Sequence, residues 1–164
     1  MVQATHEAVR RDITLNATPE NAFRVFTERF DSWWPRSHHI GGPDMLQAIL
    51  EPRQGGRWYE RGVDGSTCDW GEVLAWDPPH RLVLSWHIGG DWTYDPENCS
   101  EIEAIFTPAG DGTRVQLEHR HFERHGATAE ALREAVGGDG GWNGLLNLYA
   151  EALGSSSSEQ ELMQ

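Results

Sequence analysis

GWNGLLNLYAEAL, residues 141–153, decides how the chain folds. Trp142, Leu145, Leu146, Tyr149 and Leu153 recur at i, i+3, i+4, i+7 and i+11, the spacing of one buried helical face. Asp139, just ahead of it, is a residue type that caps helices. An amphipathic helix has to bury its stripe against another layer, so the question passes to what the preceding residues build.

They build strands. Segments 9–15, 45–52, 56–63, 67–77, 80–88, 99–108 and 112–122 have strand character, and turn chemistry separates the later ones: RQGG, VDGS, DPPH, GGDWTYDPEN and AGDG. Short turns imply an antiparallel meander. Its register is consistent: Ile102, Ala104 and Phe106 share a face, as do Val115 and Leu117. Between the first two strands, Thr18 caps a helix with Pro19 in its first turn. Ala22, Phe23, Val25, Phe26 and Phe30 form its apolar side. DSWWPRSHHIGG (31–42) follows as a short helical turn and a loop, and 128–136 reads as a further short helix capped by Thr128. The expected fold is α+β, a curved seven-stranded antiparallel sheet wrapped around a long C-terminal helix, with two short helices after the first strand. Residues 1–153 form one domain, and 154–164 read as a flexible polar tail.

Composition narrows the function. A net charge of −13 in 164 residues opposes a phosphate backbone, so nucleic acid is not an expected partner. No apolar run approaches the ~18 residues of a membrane span, and the first residues lack an apolar signal core, so a cytoplasmic protein is expected. Cys68 and Cys99 have neither metal-type nor redox-type spacing and are expected as free thiols. Eight tryptophans are many for this length, and such large apolar rings belong in a core or around a cavity.

Four segments in order, ATPENAFRVFTERFDSWWP, GGRWYERGVDGSTCDWGEVLAWDPPHRLVLSW, GTRVQLEHRHF and GWNGLLNLYAEAL, resemble the SRPBCC superfamily. Within it the likeness is to proteins related to the activator of heat-shock protein 90 ATPase, over about residues 9–153. That resemblance implies the helix-grip fold of START domains, with the first strand beside the last. Its members include lipid carriers, hormone receptors, polyketide cyclases and co-chaperone domains, so it does not choose a function.

His38, His39, His87, His119 and His121 include no set with familiar metal-ligand spacing, and neither metal nor cofactor is expected. No Gly-x-Ser-x-Gly marks a nucleophile. If Val115 and Leu117 point inward, alternation carries His119 and His121 inward too, and Trp58 does the same for Glu60. These groups suit either proton transfer or hydrogen bonding to a ligand. Trp86 shares a face with Leu82 and Leu84. Trp142 stands beside Gly140 and Gly141, whose missing side chains leave room. One of Trp33 and Trp34 packs under the first helix while the other faces the cavity or its rim, where His38 and His39 also lie.

The expected ligand-binding set is Trp34, Trp58, Glu60, Trp86, Phe106, His119 and Trp142, with no catalytic residue assigned. The leading reading is a protein that binds a small hydrophobic or aromatic molecule between sheet and C-terminal helix. An acid–base enzyme of the cyclase, hydrolase or isomerase kind is the second. A co-chaperone-like interaction domain is the third, disfavoured by the absence of a recognisable second binding module.

Overall fold

The computed structural model describes residues 7–162, with side chains through Gly154. Seven strands, β1 (Val9–Leu15), β2 (Met45–Leu50), β3 (Arg57–Gly62), β4 (Thr67–Asp77), β5 (Arg81–Trp86), β6 (Ser100–Ala109) and β7 (Gly112–Arg120), form one antiparallel sheet. Their order is β1-β7-β6-β5-β4-β3-β2, so the first strand lies beside the last. Helices α1 (Pro19–Thr27) and α2 (Phe30–Trp33) follow β1, and α3 (Ala129–Gly137) and α4 (Gly144–Leu162) close the chain. This is the helix-grip architecture, a curled sheet around a C-terminal helix.

The elements arise where local chemistry places them. Thr18 Oγ1 accepts the Asn21 N–H, and Pro19 opens α1. The buried side of α1 carries Phe23 and Phe26, whose rings meet Phe106 of β6 edge-on. Tyr149 of α4 packs against Phe26 and donates its hydroxyl to the Ala22 carbonyl at 2.5 Å. Burial holds this phenol far above the ordinary tyrosine range, so it stays a donor. On the outer face the Arg57 guanidinium lies 3.9 Å from the Tyr59 ring centre, and Arg120 bridges Glu101 and Glu103.

Strand β4 departs from simple alternation. Its register shifts once against β3, between Trp58 and Tyr59, and again against β5, between Val73 and Ala75. Each bulge resets which face the next side chain takes. As a result Trp70 and Val73 both join the inner core, and Trp76 packs against it through an edge-on contact with Phe23.

The C-terminal region differs in detail from the sequence reading. Thr128 makes no side-chain cap, and its hydroxyl instead donates to the His125 carbonyl. Asp139 does not cap α4. Residues Asp139–Asn143 form a separate wide turn, and α4 begins at Gly144. Gly141 lets this turn close onto α3, since a Cβ there would lie 2.1 Å from the Val136 carbonyl oxygen. The buried stripe of α4 ends at Leu153 as spaced, but helical backbone continues to Leu162, through residues read as a tail. Residues 1–6 of the expected domain and 163–164 of that tail lie outside the described residues. Both cysteines are free thiols. No helix among the described residues is long and apolar enough to cross a membrane.

Tyr149→Phe removes the hydrogen bond that ties α4 to α1, while the Ala22 carbonyl keeps its place inside the helix. Urea denaturation should show a loss of about 1 kcal/mol, with the unfolding slope unchanged.

Candidate functional site

A half-open pocket of about 500 Å³ lies at one end of the grip. That is within the range of roughly 300–1,000 Å³ for small-molecule sites. The loop after α2 supplies Trp34, Ser37, His38, His39 and Ile40 to its wall, and the sheet supplies Trp70 and Trp86. Ile88 and Trp92 come from the loop after β5. Ala135 and Val136 of α3, the turn Gly140–Trp142 and Leu145 of α4 complete it.

Four indoles of the wall, all but Trp92, bond their polar atoms to the protein. Trp34 Nε1 donates to the His38 carbonyl at 2.8 Å, and Trp86 Nε1 to the Ile88 carbonyl at 2.6 Å. Trp70 Nε1 donates to Glu60 Oε1 at 2.9 Å, and Trp142 Nε1 to His119 Nδ1 at 3.1 Å. With these donors satisfied, the rings offer carbon surface to the void. Trp92 stands at the mouth, 50% exposed, on backbone with φ of 61°.

Glu60 is 1% exposed and lies behind this wall. Besides Trp70, its carboxylate accepts the Ile40 N–H at 2.7 Å and the Gly41 N–H at 3.2 Å. It therefore anchors the 37–41 loop. A side chain at Gly41 would have no room, because its Cβ would come within 2.9 Å of Glu60 Oε2. The loop is tied at its other side as well, where His38 Nε2 lies 3.0 Å from the Gly140 carbonyl oxygen.

His119 is fully buried. Accepting from Trp142 at Nδ1 leaves its ring proton on Nε2, which faces Ser100 Oγ at 2.8 Å. His125 Nε2 is also 2.8 Å from that hydroxyl. Burial holds the His119 imidazole well below the ordinary histidine value of 6.5, and His125 pushes it the same way. Burial, followed by the nearby His87, likewise lowers His125.

Of the residues singled out from sequence, the structure brings Trp34, Trp86 and Trp142 together on the pocket wall. Trp33 packs beneath α1, with Nε1 donating to the Val25 carbonyl. Phe106 lies in the core, because α1 fills that end of the grip with Phe23 and Phe26. Trp58 is buried beneath Trp34, Trp70 and Trp86, and its Nε1 has no acceptor among the described residues. Glu60 and His119 point inward as alternation requires, but each is consumed by protein partners and they do not bond one another. His121 does not point inward. β7 ends at Arg120, and His121 turns out with φ of 68° and a side chain 39% exposed. Gly141 makes room for α3 rather than for a ligand, whereas a Cβ at Gly140 would meet open space. Missed from sequence were Trp70, re-aimed by the β4 bulge, and Ile88, Val136 and Leu145, which contribute apolar edges. Among the described residues no group of three or more His, Cys, Asp or Glu side chains is placed to hold a metal ion.

Residues 16–154 match the family described as Activator of Hsp90 ATPase homolog 1-like protein. Among solved structures the chain is 38% identical to an anthrahydroquino-Gama-pyrone synthase, Txn09, complexed with SUM. The alignment covers 92% of this chain and 99% of that one, with a TM-score of 0.63. It is 32% identical to CalC, a self-sacrificing resistance protein from Micromonospora echinospora, over 92% of this chain and 96% of that one, at a TM-score of 0.67. Protein NE0264 from Nitrosomonas europaea shares the fold, at 18% identity, 95% and 99% coverage and a TM-score of 0.65. No curated protein matched.

The buried histidine has a consequence in acid. As pH falls through about 6.5 the unfolded chain gains a proton at residue 119 that the folded state refuses. Stability is therefore full above that value and is lost below it, at up to ~1.4 kcal/mol per pH unit for this one group. Denaturation of His119→Gln between pH 7.5 and 5 should give a shallower decline than the wild type, with the contribution of His125 remaining.

Proposed function

The chain belongs to the Activator of Hsp90 ATPase homolog 1-like family, and from that premise we propose that it binds a small, flat, aromatic or hydrophobic molecule in the pocket between the sheet end, α3 and α4. The observation that carries the proposal is the set of four wall indoles, Trp34, Trp70, Trp86 and Trp142, whose N–H groups are all turned to protein acceptors. These four indoles have no free donor to offer an anion or a hydroxyl, and much to offer a π-surface. Edge-to-face or stacked contact adds roughly 0.5–1.5 kcal/mol per ring beyond area burial. The ligand contacts proposed from the original set are Trp34, Trp86 and Trp142, joined by Trp70 and Trp92. Trp58 supports the wall from within, and Phe106 belongs to the core at the other end of the grip.

A second reading, a ring-closing enzyme, is favoured by the 38% identity to a synthase. It needs a proton-transfer group at the pocket, and neither Glu60 nor His119 reaches the wall. The cytoplasm remains the proposed location. The interaction-domain reading gains no observation in its favour.

Titration with anthraquinone, a flat tricyclic probe, should quench tryptophan fluorescence saturably. Trp92→Ala, at an exposed position whose loss leaves the core intact, should weaken that binding about tenfold, or ~1.4 kcal/mol. Quenching that rises linearly without saturation, in wild type and variant alike, would remove the basis for a binding site.

A further inference from the structure

Among the described residues, one histidine nitrogen at the pocket has no protein partner. Three histidines lie at or behind the wall, and their nitrogens sort cleanly. His119 is engaged at both, by Trp142 and Ser100. His38 is engaged at both, by Ser37 Oγ at 3.1 Å and the Gly140 carbonyl at 3.0 Å. His39 is different. Its Nδ1 lies 3.1 Å from the Gly41 carbonyl oxygen and 3.6 Å from Glu60 Oε2, two acceptors, so Nδ1 carries the proton. Its Nε2 is then a lone pair, without a hydrogen bond among the described residues, on a side chain that lines the pocket.

We propose that His39, oriented by Glu60, is the proton acceptor of the pocket, and that the ligand it serves is a flat aromatic compound bearing an acidic hydroxyl, a phenol or its enol equivalent. The inference rests on the binding reading above and specifies its ligand. The hydroxyl lies at the rim while the ring system lies against the indoles. Proton transfer breaks the ligand O–H bond and forms an Nε2–H bond, and the electron pair stays on oxygen as a phenolate. The imidazolium so formed keeps its Nδ1–H toward the Gly41 carbonyl and the Glu60 carboxylate, which stabilise its charge. Glu60 touches no ligand. It is a positioning residue, holding the loop through Ile40 and Gly41 and fixing the His39 tautomer. A phenolate is also the nucleophile that closing an oxygen ring requires, so the same residue provides the proton chemistry that the enzymatic reading lacks at Glu60 and His119.

The test compares 2-hydroxyanthraquinone with 2-methoxyanthraquinone, which has nearly the same shape and no proton to give. The wild type should bind the hydroxy compound at least tenfold more tightly, and its absorption should shift to the phenolate band on binding. In His39→Phe the affinity ratio should fall toward one and the phenolate band should disappear. His39→Gln, whose amide oxygen accepts a hydrogen bond but no proton, should recover part of the ratio without the band. Glu60→Gln should lower the phenolate fraction at saturation; since it also disturbs the loop, His39→Phe is the deciding variant. Tight binding of both compounds at equal affinity in the wild type, or a ratio that survives His39→Phe, would overturn the role of His39 and leave the pocket standing. Failure of either compound to bind would remove the pocket reading and this inference with it.

Discussion

A carboxylate withdrawn from water must find its donors inside the protein, and Glu60 is where this requirement organises the molecule. Leaving such a charge unpaired costs several kcal/mol, more than a marginally stable domain can tolerate at many places. Here the donors come from two directions. The backbone of Ile40 and Gly41 descends onto the carboxylate from the loop, and the indole of Trp70 reaches it from β4. Trp70 is aimed there by the register shift against β3. One buried charge therefore fixes the bulge, the loop and the ring between them. The loop in turn carries Trp34 and His38, and His38 reaches across to Gly140 at the turn before α4. The rim of the pocket is a closed circuit of such ties.

The tryptophans follow a common rule. A buried indole N–H needs an acceptor, and once it has one the ring is free to act as hydrocarbon. Four wall rings obey this with acceptors drawn from loop carbonyls, a carboxylate and an imidazole. Phe30 stacks on Trp34, and the other aromatic neighbours are met edge-on or at a tilt, as in Trp58 against Trp70 and Trp34 against Trp142. Polar atoms behind and carbon in front is an arrangement that ordinary core filling does not require. At the other end of the grip Phe23, Phe26, Phe106 and Tyr149 pack ring against ring.

The fold was largely legible because it rests on periodicity. The α4 stripe, the α1 stripe and the alternation of β5, β6 and β7 each give the correct face from sequence alone. Thr18, Pro19 and the turn residues mark the boundaries by local chemistry. The candidate site was less legible, for reasons that can be named. A period of two places Phe106 on the inner face but not at a given height along the grip, and α1 covers its height. The same period carries Glu60 inward without revealing that its partners are backbone atoms about twenty residues earlier in the chain. Bulges break the rule outright: Trp70, Val73 and Trp76 are spaced by three and share the core side of β4. His121 fails because the strand stops one residue short of it. Which nitrogen of which histidine is left without a partner is a property of tertiary contacts, and no local pattern encodes it.

The walls of the pocket come from segments scattered through the chain: the loop after α2, the bulged β4, the loop after β5, and the α3–α4 junction. No contiguous fragment contains enough of them to form the site. Occupancy is therefore coupled to the integrity of the whole domain by mass action. A compound that recognises only the assembled walls lowers the free energy of the native state and not that of the unfolded one, by RT ln(1 + [L]/Kd). Partial unfolding at either the sheet end or the α3–α4 turn would release it. Any cargo of such a pocket would be held only while the domain is fully folded and would, by the same linkage, lengthen the life of its container.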